Sequence, residues 1–243
     1  MKNCSIIIPI HNEALHLEEF IIRFWDNLGE LQKRVIEIQL VENGSNDNSL
    51  EICQNLGKKF PKVIVARHIP HPSYGEAIKS GMLNAKGEIV SILECDYLDI
   101  EFFSYSLAVI DESKTDFVLA SKRHPDSVDK RPLKRRIITY LFNLFLKLFF
   151  NIPISDTHGL KTIRSEVAKK LCDLSITGGE IFQTEIVMLA YRLGYHVLEI
   201  PIHIYEKRSP SISIIRRIPK VINIFIQLKR SLRRFPDNKL REP

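Results

Sequence analysis

The sequence predicts an α/β protein with a largely parallel central sheet flanked by helices. Residues 1–120 alternate short β-rich runs with segments of helical periodicity, the pattern of strands joined by crossover helices. The strand-like run Ser5–Ile8 is continuously apolar, as in strands buried on both faces. Turn-forming clusters such as Asn43-Gly44-Ser45-Asn46-Asp47 punctuate the runs.

Taken in order, Ser5–Ile8 is the first strand, and Leu17, Phe20, Ile21, Phe24 and Leu28 then recur at helical spacing. Val35–Val41 is a second strand, followed by a helix over Ser49–Phe60. Val63–Arg67 is a third strand. A helix over Glu76–Asn84 leads to the strand Glu88–Leu93, and Phe117–Ser121 is a fifth. Ligands of open parallel sheets sit beyond the carboxyl ends of the strands. There the chain places Pro9-Ile10-His11-Asn12-Glu13, then Glu42 to Asp47, then Glu94-Cys95-Asp96. Asn12 and Asp47 also suit caps or turns. Glu94 and Asp96, two residues apart on an extended end, project to one side, and paired carboxylates of this kind suit Mg²⁺ or Mn²⁺ on a diphosphate. Phosphate loops of the GxxxxGK[ST] and GxGxxG types are absent.

The chain has 243 residues, 44% hydrophobic and 26% charged, with a net charge of +6, so it can bury a sizeable core. Its four cysteines show no CxxC spacing, which argues against a disulfide framework or zinc site and fits a reducing compartment. Basic residues concentrate in 122–147 and from Lys207 to Arg234, the latter without an acidic residue. Such clusters suit phosphates. Because they interleave with aliphatic and Phe residues, nucleic acid is not the expected partner. Neither a signal peptide nor a bilayer-spanning run is visible.

The order of these pieces resembles the family-2 glycosyltransferases of the GT-A fold, and within them the polyprenyl-phosphate (dolichyl-phosphate) mannose or glucose synthase branch. The resemblance rests on Ser5 to Glu13, Val41 to Asp47, Tyr74-Gly75 through Gly87, Glu94-Cys95-Asp96, Asp156-Thr157-His158-Gly159-Leu160-Lys161, and Glu199-Ile200-Pro201 with Arg208 and Ser213. Glu42 and Glu94 stand where the family usually has Asp. The resemblance implies an inverting transfer of sugar from a UDP- or GDP-linked donor to a polyprenyl-phosphate or other lipid-linked acceptor, with Mg²⁺ or Mn²⁺ held by Asp96 and Glu94. It assigns donor binding to Pro9, His11, Glu13, Glu42, Asn43, Tyr74, Gly75, Glu94 and Ser213, with Glu42 meeting the base. Asp96, Asp156, Arg123 and Arg208 are its catalytic candidates. Asp156 is the base if the acceptor is a hydroxyl; an ionised lipid phosphate needs none. A glycan hydroxyl acceptor and a non-catalytic nucleotide-sugar-binding homologue remain the alternatives.

Arg131, Arg136, Thr139 and Asn143 are the acceptor-side candidates, the last three through an Arg-x-x-Ser-x-x-x-Asn pattern of the same branch. Residues 131–152 form an oily helix with a narrow polar stripe, which suits either an interfacial helix or one docked on the sheet. Residues 1–213 are read as the transferase domain and 214–243 as a basic amphipathic helix and tail. Two such helices predict a cytoplasmic protein attached peripherally to the membrane surface.

Overall fold

The computed structural model describes all residues except 62–63, 96, 98, 154, 205–217 and 236–243. Strand β1 (Cys4–Ile10) is followed by helix α1 (Leu17–Asn27), β2 (Val35–Asn43), α2 (Ser49–Lys59), β3 (Ile64–Ile69), α3 (Tyr74–Asn84) and β4 (Ile89–Ile92). Then come α4 (Ile100–Glu112), β5 (Phe117–Ser121), the short β6 (Val128–Asp129) and the long α5 (Leu133–Phe150). The chain continues through β7 (Lys161–Arg164), α6 (Ser165–Leu174), α7 (Phe182–Arg192), β8 (Val197–Pro201) and β9 (His203–Ile204), and α8 spans Ile218–Leu232.

The seven-stranded sheet runs β3-β2-β1-β4-β7-β5-β8, while β6 and β9 pair separately. All its pairings are parallel except those of β7, which is antiparallel to both β4 and β5. From β1 the chain builds outward through β2 and β3, then returns to add β4 on the other side of β1. That reversal opens a crevice at the carboxyl ends of β1 and β4, where open α/β sheets take ligands.

The sheet is buried on both faces. Ile6, Ile8, Ile38 and Leu40 pack beneath α1, α2 and α4, while Ile7, Val41, Val90 and Ile92 pack beneath α3, α6 and α7. Each such side chain contributes about 1.5–3 kcal/mol on removal from water, which fixes the strand register and therefore the strand ends. Helix α8 belongs to the second core through Leu228 and Leu232. Buried Glu185 of α7 ties it down, accepting from Ser231 Oγ, Thr177 Oγ1 and the backbone N–H groups of Ile176 and Thr177.

Helix α5 docks by one narrow side. Asn143, Leu146 and Phe150 are buried, and its end is capped by Asn151 in the left-handed conformation (φ 50°). Its predicted polar stripe is split, with Thr139 half-buried and Asn143 buried while Arg136, Lys147 and Asn151 are exposed. The oily side faces out, exposing Leu133, Ile137, Tyr140, Leu141, Leu148 and Phe149. Phe225 of α8 packs on Phe145, Phe149 and Phe150, so the two basic helices share one surface. Among the described residues, no helix is long and apolar enough to cross a membrane.

Candidate active site

The loops after β1 and β2 are laced together at the crevice. Asn12 adopts φ 56°, a conformation Asn tolerates, and its Oδ1 accepts from Asn46 N at 2.8 Å. Ser45 Oγ accepts from Asn12 N, Ser49 Oγ from Glu13 N, and Asp47 from Ala14 N. Asn43 is buried and bridges two elements, donating to Ile10 O at 2.8 Å and accepting from Ser73 N at 3.1 Å. Gly44 sits at φ 63°, where a Cβ would lie 2.6 Å from the backbone of His71 and Pro72. These two loops are thus a fixed cradle, with His11 Nδ1 2.8 Å from Asn43 O.

Glu42 closes this cradle from below. Its carboxylate is 1% exposed, accepting from Ser45 N and from His68 Nδ1, each at 2.5 Å. Burial alone would raise its pKa, but the Ser45 hydrogen bonds and His68 outweigh that and hold it below the usual carboxylate range. The acid expected to meet the base is therefore covered, and His68 is what shows above it.

At the end of β4, Glu94 Oε1 lies 3.5 Å from the Tyr74 hydroxyl. Gly75 lets the start of α3 pack closely on the segment before α7, because a Cβ there would fall 1.9 Å from Gly179 O. Lys161, fully buried on β7, contributes a cation near Glu94 and Asp156, and its Nζ donates to Gly159 O and Gln183 Oε1. Burial pulls its pKa down to about 7, against the opposing pull of Glu94. Among the described residues no three His, Cys, Asp or Glu side chains gather as a metal cage. A divalent ion carried on a diphosphate needs only one or two carboxylates, and Glu94 at a strand end beside the crevice fits that demand. Its partner Asp96 lies outside the described residues, as do Arg208 and Ser213.

Asp156 is 1% exposed and fully engaged. Oδ1 accepts from the N–H groups of Thr157 (2.8 Å) and His158 (3.1 Å), and Oδ2 accepts from Lys122 N (3.2 Å) with Lys122 Nζ at 3.9 Å. Burial raises its pKa, but the Lys122 charge and these donors more than compensate, and the carboxyl is held below its ordinary value. Glu199 braces the same loop by accepting from Ser155 N, Ser155 Oγ and Asp156 N. Burial, with Asp156 nearby, raises its pKa despite those bonds.

The loop meets α5 through His158, whose ring packs edge-on against Phe142 with centroids 5.9 Å apart. Arg123 also reaches α5, its guanidinium 4.9 Å from the Tyr140 ring centroid. Arg136 is exposed. Arg131 is held by Asp129 in a two-pronged pair at 2.9 and 2.8 Å, which directs its charge into the structure. Asn143 Nδ2 is buried and has no hydrogen-bond partner among the described residues. Sequence reasoning gave no individual role to His68, to Lys122 within the basic stretch, or to Lys161 and Glu199 within the motifs that carry the resemblance. His68 carried a usable signal of its own, since it stands at the carboxyl end of a strand.

This fold and crevice define a glycosyltransferase domain of the GT-A type. The chain belongs to glycosyl transferase family 2, which it matches over residues 5–172. It is similar to the dolichyl-phosphate beta-glucosyltransferase of Saccharomyces cerevisiae, 25% identical over 225 residues that cover 83% of this chain and 66% of the relative. The Dictyostelium discoideum protein of the same name is 24% identical, covering 90% of this chain and 73% of the relative. A Trichomonas vaginalis relative is spanned to 64% of its length. The chain thus spans about two thirds of the first curated relatives. Its fold matches glucosyl-3-phosphoglycerate synthase from Mycobacterium tuberculosis, solved with uridine diphosphate, with a TM-score of 0.68 at 16% identity, covering 98% of this chain and 82% of that one. That synthase has also been solved with Mn²⁺, uridine-diphosphate-glucose and phosphoglyceric acid.

Proposed function

We propose that this protein transfers a sugar, with inversion, from a nucleotide-diphosphate donor to a polyprenyl-phosphate-type lipid at a membrane surface. The observation that carries this reading is the contact of the Asp156–His158 loop with α5, a helix that turns its oily side outward. An acceptor whose phosphate enters beside that loop would keep its hydrocarbon chain along the exposed face. Contiguous exposed apolar surface of this kind suits membrane contact.

The state of Asp156 favours a phosphate over a hydroxyl acceptor. A carboxylate held below its ordinary pKa, with its oxygens taken by three N–H groups, is a weak proton acceptor. A lipid phosphate arrives already ionised and needs no base. On the donor side, Glu94 and Asp96 would hold Mg²⁺ or Mn²⁺. When bound, that ion supplies charge stabilisation to the departing diphosphate. Tyr74 and Asn43 fix the loops around the donor, Lys122 keeps Asp156 ionised, and Arg123 offers a permanent cation beside α5. The names of the curated relatives support glucose and dolichyl phosphate as substrates, and the solved synthase supports UDP with Mn²⁺.

The test is a panel of UDP- and GDP-linked sugars with Mn²⁺ and a short polyprenyl phosphate in detergent micelles. The expected product is a polyprenyl-phosphate hexose from one donor. Turnover of every donor to free sugar alone, with no glycolipid, would overturn the reading.

A further inference from the structure

We propose that His68 is the residue that touches the donor's base, with Glu42 acting behind it as a positioning residue. The inference rests on the nucleotide-diphosphate reading above and adds the identity of the base contact. Ile10, Glu42 and His68 form one row across three strands, since Ile10 pairs with Glu42 and Glu42 with His68 in register. The row ends at the carboxyl edge, three strand spacings from Glu94 on the β4 side, about 14 Å at about 4.8 Å per strand. A diphosphate at Glu94 would therefore place its nucleoside over β2 and β3.

Along that path Glu42 is not the presented group. Its side chain is 1% exposed, with one oxygen on Ser45 N and the other on His68 Nδ1, whereas the imidazole above it is 44% exposed. The pair is 2.5 Å long and faces an ionised carboxylate, so Nδ1 carries the hydrogen and donates. Nε2 has no hydrogen-bond partner among the described residues and is the polar atom left for a ligand. An imidazole whose inner nitrogen is pinned by a carboxylate has its ring orientation and hydrogen placement fixed. Glu42→Gln reverses this: an amide N–H turned toward Nδ1 forces the hydrogen onto Nε2.

Calorimetric titration of the full chain with UDP, GDP and inorganic pyrophosphate, each with Mn²⁺, tests the assignment. His68→Ala should weaken the better nucleotide about three- to tenfold, the loss of one hydrogen bond, and leave pyrophosphate unchanged. Glu42→Gln should also weaken that nucleotide, but add nothing further in the His68→Ala background. If Glu42→Gln costs the same factor with and without His68, Glu42 touches the base directly and the assignment is wrong. Unchanged nucleotide affinity in His68→Ala, or an equal loss for pyrophosphate, also overturns it while leaving the transferase reading standing. Failure of the wild type to bind either nucleotide removes both. Melting curves of each variant separate local loss from misfolding, and a His68→Ala protein that melts like the wild type keeps every arm decisive.

Discussion

Replacing Asp156 by Asn removes one negative charge from a closed pocket without changing its shape. The amide oxygen can keep the N–H groups of Thr157 and His158, but the new NH₂ group then faces Lys122 N, a donor against a donor. Lys122 Nζ, 3.9 Å away on a side chain only 15% exposed, loses its carboxylate. Hydrogen bonds to a charged group contribute about 1.5–3 kcal/mol each, so losing one and weakening two costs on the order of 3 kcal/mol. For a chain of this size that corresponds to about 6–12 °C in melting temperature. Because the folded pKa is depressed, the ionised form stabilises the fold above about pH 4, and that contribution fades as pH falls through the folded value. Differential scanning calorimetry at pH 7 checks the number. A melting temperature within 2 °C of wild type, using the precision implied by about 2–4 °C per kcal/mol, would refute the reasoning that Asp156 is a structural anion.

Three further outcomes are expected. Lys161 is held near 7 while an unfolded lysine titrates near 10.4, so the unfolded state binds more protons between those values and the buried lysine makes stability rise with pH. From pH 7 to 9 the rise is about 2–3 kcal/mol, and denaturant titrations of wild type and Lys161→Met should differ by it; above pH 9 the buried thiols of Cys53 and Cys172, pushed up to about 12, act the other way. Excess EDTA, or Asp96→Ala, should reduce turnover by at least a hundredfold, matching about 2.7 kcal/mol or more of lost charge stabilisation; full activity in EDTA contradicts a metal on Glu94 and Asp96. Vesicles with anionic lipid should bind the protein in low salt and release it near 1 M, where the Debye length is about 3 Å, and Leu141→Glu should weaken binding at either salt; sedimentation measures both.

Much of the architecture was legible because parallel strands buried on both faces write themselves as apolar runs. β1 to β5 and the first three crossover helices appear where the sequence places them, with ends shifted by a few residues. The missed strands β7 and β8 are short and interrupt their apolar runs with charged residues. β7 contains Lys161 at 0% exposure, and β8 contains Glu199 and ends on Pro201, so neither shows the pattern of a strand. Helix α7 buries Gln183, Thr184 and Glu185 together with its apolar residues, which erases the amphipathic period. At the site, reading the residues that follow each strand found Glu42 and Glu94. It missed His68 only because the same rule was not carried to β3. Lys122 and Lys161 look like surface charges in one dimension, and only the packing of β5 against β7 shows them lying beside Asp156.

The central claim is that the acceptor is a phosphate held where α5 meets the Asp156 loop. Its most direct test compares polyprenyl phosphate with the corresponding polyprenol in the same vesicles, using a radiolabelled nucleotide sugar and Mn²⁺. Label should enter the lipid fraction only with the phosphate, in a linkage released by mild acid. Equal transfer to the alcohol, whose proton the Asp156 carboxylate is a weak acceptor for, would contradict the account.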